Sequence, residues 1–494
     1  MGRERRNLLL AVAATLVVVV PLGWLWQDSR VPGTYSVMSM GYLDYGGGPH
    51  GDAMAGMPGM GGSSGAQQVS VADLVADPRR PADVTVDLTA RRGRVRLADG
   101  RTLDGYTLNG TSPGPTIRVA QGQLLEVHLH NANVPDGITL HWHGVDVPNA
   151  EDGVAGVTQD AVLPGHDFTY RFVADHAGSY WYHSHQVSHE QVVGGLFGAL
   201  VVTPPHPDRS VLDVVALSHL YDGLATLNGH DRDVAVPAAA GRLVRVRVVN
   251  TDNGPVRAWA GAPFRLAAVD GYDVHEPGLV VDRAVTVTAG GRADLLVKVP
   301  PEGVQVRVSG APALLLGASG DAVPPAAEPG RELDLLDYGT PTALPFDPEA
   351  ADRHVDYAIG RRPGFVKGLP GLWWTVNGHL FPHLPMFVVR EGDVVQVRIS
   401  NHSGDVHPMH LHGHHAVVVS RNGRPVRGSP WWFDSLNVKD GETFVVAFLA
   451  DNPGVWMDHC HNLKHAAQGL VTHLMYEGVT EPYRVGGRIG NEPE

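Results

Sequence analysis

Only one cysteine, Cys460, occurs in 494 residues, which excludes an internal disulfide framework. Positive charge is also scarce: 38 Lys and Arg stand against 52 Asp and Glu, a formal net charge of −14. With no basic run outside the extreme N-terminus, this balance argues against a nucleic-acid partner. Long apolar runs are missing, except for the uncharged stretch at residues 8–26. Helix-forming residues do not dominate, whereas Val is abundant and there are 60 Gly and 37 Pro. These proportions point to an all-β protein with many turns, and the length allows two to four domains.

The lone thiol sits in a conspicuous setting. Residues 459–470 read HCHNLKHAAQGL, with His459 and His461 flanking Cys460 and His465 five residues on. A thiolate with two histidines and a weak or absent axial group suits a blue copper electron-transfer centre. In an extended segment alternate side chains face opposite ways. Cys460 can therefore face one metal while His459 and His461 face a second site behind it. Three further pairs repeat the HxH spacing: His141 with His143, His183 with His185, and His410 with His412. That spacing sets two imidazoles on one face of a strand. The four pairs supply eight histidines for one site, and His407, Cys460 and His465 remain for a separate mononuclear site.

The chain also contains a threefold repeat. Residues 107–131, 226–250 and 375–401 each hold an Asn-Gly turn, a short strand, and a Gly nine residues before a closing Asn. The glycines are Gly122, Gly241 and Gly392; the asparagines are Asn131, Asn250 and Asn401. Between them apolar and polar residues alternate, as in a half-buried strand. Three similar β-sandwich domains are expected. The first and third carry the histidine motifs at matching places, so 141–143 corresponds to 410–412 and 183–185 to 459–461. Ser184 stands where the third domain has Cys460. The middle domain has only scattered histidines (His206, His219, His230, His275) and reads as a spacer. His128 and His130 form another HxH, but they fall at outward positions of the repeat and read as a solvated strand face.

These four motifs, in this order, resemble the multicopper oxidases, the family of laccases and cuprous oxidases, over roughly residues 100–480. The resemblance implies three consecutive cupredoxin-like Greek-key β-sandwich domains after an N-terminal apolar segment. The expected layout is a signal or anchor at 1–30, a Gly/Met-rich linker at 31–68, and domains at 69–204, 205–340 and 341–484. It implies four copper ions and oxidation of a small-molecule or metal-ion donor coupled to reduction of dioxygen to water. By resemblance, His407, Cys460 and His465 hold the type 1 copper, and His141 with His410 the type 2 copper. His143, His183 and His461 hold one type 3 copper; His185, His412 and His459 hold the other. The axial position, ten residues after the cysteine, is Leu470, which gives no sulfur donor and implies a raised potential. Met475 fits that spacing less well. Asp152 matches an acid that in this family hydrogen-bonds water near the type 2 copper, where a carboxylate could relay protons; otherwise it is a turn residue before Gly153. Where many members have Glu, this chain has Ala466, so the usual second proton donor is in doubt. His402, His414 and His415 lack ligand spacing and read as supporting or surface groups.

Arg3, Arg5 and Arg6 precede the apolar stretch, which is just long enough to span a bilayer. It is an export signal or a membrane anchor. No small-x-small cleavage pattern follows, which favours the anchor, and Arg5-Arg6 only weakly resembles a twin-arginine signal. Either way the body lies outside the cytoplasm. Residues 33–68 are rich in Gly, Met and Ser and include Met38, Met40, Met54, Met57, Met60 and His50. They are too poor in large apolar residues to form a core. They form a tether, alone or with transient Cu(I) binding through thioethers. A monomer is expected. The donor stays open between a phenol and Cu(I), Fe(II) or Mn(II), with the methionines tilting towards Cu(I). A copper nitrite reductase is disfavoured by three domains with eight cluster histidines. A non-enzymatic copper scaffold or reservoir is disfavoured because every ligand is retained.

Overall fold

The structure, a computed structural model, describes residues 2–48, 68–97, 100–318 and 322–494. The three repeats build three β-sandwiches of one pattern. Strands Leu124–Asn131, Leu243–Asn250 and Val394–Asn401 occupy equivalent central places. Each pairs in parallel with a preceding strand: Val84–Arg96, Val211–Tyr221 and Arg353–Val366 respectively. Each pairs antiparallel with a later one: Asp167–Val173, Arg292–Lys298 and Thr443–Leu449. The Asn-Gly turns agree too. Asn109, Asn228 and Asn377 have φ of 54°, 52° and 51°, and the glycine after each is also positive. Two consecutive positive φ values favour Asn-Gly, and such turns match the twist of the strands they join. The closing asparagines are fully buried. Their side chains donate to backbone carbonyls of a later loop, as Asn131 Nδ2 does to Val162 (2.7 Å) and Asn401 Nδ2 to Val438 (2.9 Å).

One buried apolar cluster runs through the first and third sandwiches, from Leu88 and Trp142 to Trp456 and Leu474. The second sandwich has its own, around Val246, Leu266 and Leu295. The first and third sandwiches share one core and the histidine motifs lie where they meet, while a smaller buried cluster around Trp181, Leu217 and Leu463 packs the second against both.

The N-terminal run forms the helix Arg3–Asp28, with no buried residue. It is long and apolar enough to cross a membrane. Its end is docked: Asp28 lies 3.1 Å from His383, and Gly368 N–H donates to Ser29 Oγ at 3.3 Å. Gly368 is the turn of the hairpin formed by Arg353–Val366 and Leu369–Val376.

The tether expectation fails over its first part. Thr34–Tyr35 pairs with Val485–Gly486, and Tyr42–Asp44 adds in parallel to Pro385–Val389 as an edge strand of the third sandwich. The segment needs no core of its own because it borrows one: Val37 is buried, and Leu43 packs on the shared cluster. His50, Met54, Met57 and Met60 lie outside the described residues.

Glu481 fastens this segment. Its buried carboxylate accepts hydrogen bonds from Ser36 Oγ and Arg484 Nη1. Burial pushes its pKa up to about 7, against the ordinary 4.5, while the Ser36 bond pulls the other way. Between those two values the folded protein keeps a proton that the unfolded chain releases. This group's contribution is therefore full below pH 4.5 and is lost as pH rises towards 7. Glu481→Gln is expected to reduce the fall in stability between pH 5 and 8 by about 2 kcal/mol. Urea midpoints of the two proteins across that range check it; parallel slopes would refute it.

Candidate metal centre

The eight motif histidines converge. His141–His143 pairs with Gly178–His183 so that His183 faces His141; His407–Leu411 pairs with Val455–Cys460 so that His459 faces His410. The two halves thus present equivalent registers, as the motif correspondence predicts. All eight rings are at most 1% exposed. Their ligand nitrogens form sets lying within 4.8 Å of one another: His141, His143 and His410; His143, His183 and His461; His185, His412 and His459. His141 Nε2 is 3.5 Å from His410 Nε2, and His412 Nε2 is 3.2 Å from His459 Nε2.

Cys460 points the other way from its two neighbours, as strand alternation requires. Its Sγ lies 3.6 Å from His407 Nδ1 and 3.8 Å from His465 Nδ1, and those two nitrogens are 3.2 Å apart. Leu470 is fully buried beside this group, its carbonyl accepting from Cys460 N–H at 3.2 Å. Met475 falls on the opposite strand face from Leu474, the side away from Cys460. Trp374, which the sequence reading missed, packs on both rings, with centroids 4.7 Å from His407 and 4.4 Å from His465. Arg361 stacks over the indole at 4.3 Å.

The donor set fits copper. Burial pushes the imidazoles of His183, His185, His410, His412 and His461 far down, and those of His143 and His407 down to about 3 and 4. They are therefore neutral, the form that binds a metal. Oxygen atoms hold the outer nitrogen of most rings. His141 Nδ1 meets the Asp152 carbonyl (2.9 Å), His410 Nδ1 the Asp434 carbonyl (2.8 Å), and His185 Nδ1 the Pro493 carbonyl (2.9 Å). Their partners leave the inner nitrogens free: among the described residues, His183 Nε2, His185 Nε2, His143 Nδ1 and both nitrogens of His461 are buried without a hydrogen-bond partner. A ring fixed through one nitrogen and bare at the other is how metal-binding histidines are oriented. Neutral imidazoles with a thiolate suit copper better than a hard cation, and zinc cannot change oxidation state.

Asp152 is 1% exposed. Its carboxylate lies 3.0 Å from His412 Nδ1 and 3.1 Å from His141 Nδ1, so it joins the two halves of the site. Burial raises its pKa, and the neighbouring histidines oppose that shift.

Three supports escaped the sequence reading. Asp434 Oδ1 meets His143 Nε2 at 3.0 Å, and the same carboxylate pairs with Arg292 of the second sandwich. Despite full burial, Asp434 is held well below the usual carboxylate range by the Arg292 guanidinium and by His143 and His415. Gly290, also of the second sandwich, is the second support. A Cβ there would stand 2.7 Å from His143 and 2.9 Å from His461. The second sandwich therefore buttresses the cluster as well as spacing its neighbours. The third support is the segment after residue 484. Glu492 N–H donates to Gln186 Oε1, and Glu494 Oε1 lies 3.0 Å from His459 Nδ1. Asp434 had a readable signal, an acid directly after Trp431-Trp432-Phe433, where only a paired charge is tolerated. Glu494 had none.

The remaining histidines fall as expected. His128 and His130 are half-exposed and pair with Asp87, Glu126 and Asp167. His402 is exposed. His414 bonds to Tyr476 OH, and His415 reaches Asp146 and Asp434. His219 is buried against Thr251.

Comparison with known proteins agrees with this geometry. Two family models described as multicopper oxidase match, over residues 89–207 and 354–478. Multicopper oxidase MmcO of Mycobacterium tuberculosis is 28% identical over 86% of this chain and 93% of its own length. Laccase-1 of Botryotinia fuckeliana is 28% identical over 76% of this chain and 79% of its own. Among solved structures, the multi-copper oxidase from Pseudomonas thermotolerans is 29% identical, covers 80% of this chain and all of its own, and superposes with a TM-score of 0.66. The chain belongs to the multicopper oxidases. It is an oxidoreductase with copper as cofactor, coupling one-electron oxidation of a small-molecule or metal-ion substrate to the reduction of dioxygen to water.

Proposed function

We propose that His407, Cys460 and His465 would hold the type 1 copper, with the buried Leu470, which offers no sulfur donor, beside them. His141 and His410 hold the type 2 copper. His143, His183 and His461 hold one type 3 copper, and His185, His412 and His459 the other. The observation that carries this reading is the convergence of eight buried imidazoles at the interface of two sandwiches, with Cys460 on the reverse face of the strand that ends between His459 and His461. Copper bound there supplies one-electron acceptance from the donor at one centre and four-electron reduction of dioxygen at the other. The chain's own residues do the rest. The peptide links from Cys460 to His459 and His461 join the two centres by a short covalent path. Asp152 orients His141 and His412 and is the carboxylate placed to pass protons inward. Asp434 orients His143. Residues 69–204, 205–340 and 341–484 are the three domains. The enzyme acts as a monomer, since one chain supplies every ligand, and the helix Arg3–Asp28 tethers it outside the cytoplasm.

Leu470→Met tests whether Leu470 is the residue that leaves the type 1 site without a sulfur neighbour besides Cys460. An added thioether is expected to stabilise Cu(II) and lower the type 1 potential. A redox titration showing no change or a rise would count against it.

The donor we favour is a metal ion, Cu(I) first. Asp405 is exposed, and its carboxylate acts electrostatically on both His407 and His465, against the opposed charge of Arg361, so an acidic group stands at this edge for a cationic donor. Oxygen uptake with Cu(I) and with 2,6-dimethoxyphenol, measured side by side, tests this. The higher kcat/KM is expected with Cu(I); a clear preference for the phenol would make the enzyme a laccase.

A further inference from the structure

A second group of soft donors lies outside the copper centres. On three adjacent strands of the third sandwich, Met386 stands opposite His473, and His473 stands opposite Met457. Directly opposed residues share a sheet face, with Cβ atoms about 5 Å apart. The three therefore form a row with the imidazole in the middle and a thioether on each side. Met386 is 4% exposed, Met457 1% and His473 9%. All three line one pocket between this sheet, the docked segment carrying Met40, and residues 492–494. His473 Nε2 itself is buried and has no hydrogen-bond partner among the described residues. An unpaired buried ring nitrogen costs free energy unless a ligand satisfies it.

We infer that Met386, His473 and Met457 form a binding site for a soft monovalent metal ion, Cu(I) in the exported protein, separate from the four-copper machinery. The chemistry selects the ion. Two thioethers and one imidazole are soft, uncharged donors that suit Cu(I) and offer little to Zn(II), Mg(II) or Ca(II). Methionine has three rotatable bonds, so both sulfurs can swing towards an ion above the central ring. His473 is also neutral: burial pulls its pKa down to about 4, with His459 adding to the shift. Met40 on the opposite wall offers a further thioether. The inference concerns binding alone and does not depend on which donor feeds the type 1 centre.

Ag(I) is the probe, because it shares the ligand preference of Cu(I) and can be counted apart from copper. The copper-loaded, oxidised full-length protein is dialysed against graded Ag(I) in chloride-free buffer. Bound silver and copper are then measured together. Met386→Leu and Met457→Leu conserve volume, so the fold should tolerate each. The wild type is expected to bind one more equivalent of Ag(I) than either variant, or to bind that equivalent at least tenfold more tightly. Silver-edge X-ray absorption of the wild type should show sulfur and nitrogen neighbours. Copper content and the blue band report separately on the four-copper assignment, so failure of either reading is recognisable. Equal silver stoichiometry and affinity in wild type and Met386→Leu would overturn the inference.

Discussion

Cys460→Ser is expected to give a colourless, inactive protein that still carries about three coppers. The reasoning rests on which way each side chain points. Ser replaces the sulfur that lies between His407 and His465 and that copper would bind as thiolate, so the mononuclear set loses its only sulfur and its intense visible absorption. His459 and His461 face away from position 460, and their partners belong to the other cluster. Activity should fall by several orders of magnitude, because the donor's electrons lose their only covalent entry. Ser184, at the matching place in the first domain, shows that such a strand tolerates serine: its hydroxyl is buried and donates to Gln191. Metal analysis with visible spectroscopy checks the result. A blue Cys460→Ser protein would remove the type 1 assignment, and a protein with no copper would break the claim of two separable sites.

Arg292→Met is expected to cost about 3–5 kcal/mol of stability and most of the cluster copper. Arg292 and Asp434 are 0% and 1% exposed, so removing the guanidinium leaves a carboxylate buried without its main partner. Asp434 also holds His143 through its side chain and His410 through its carbonyl, so the strain reaches two ligands from different sandwiches. The double variant Arg292→Met/Asp434→Leu separates charge from positioning. It should recover much of the stability, since neither charge remains, yet stay poor in copper because His143 has lost its anchor. Urea unfolding of the metal-free proteins and copper content of the loaded ones provide the two readings. A double variant that regains full copper would show that Asp434 matters only as a counter-charge.

Much of this site was legible in the chain because its chemistry is local. An HxH pair fixes two imidazoles on one strand face whatever the rest of the fold does, and His-Cys-His fixes the opposed thiol in the same way. The Asn-Gly turns and buried asparagines made the threefold repeat readable for the same reason. What stayed hidden depends on contacts between distant segments. Arg292 reaches Asp434 across 142 positions, and Glu494 reaches His459 from a segment with no pattern of its own. The segment 34–44 misled because composition judges whether a stretch can build a core, whereas this one occupies an edge of another domain's sheet.

The docking of the apolar helix on the third sandwich bears on how donors arrive. Ser29 bonds directly to the turn of a hairpin whose far strand leads, about 17 Å on, to Trp374 against His465. With the helix in a bilayer, the protein would stand on a short mast rather than drift on a leash. Leu369 and Leu372, 61% and 53% exposed beside that turn, would rest at the lipid surface. The electron-entry edge would then keep a nearly constant height above the membrane. Ions or small reductants released at that surface would meet it before those diffusing in from the bulk.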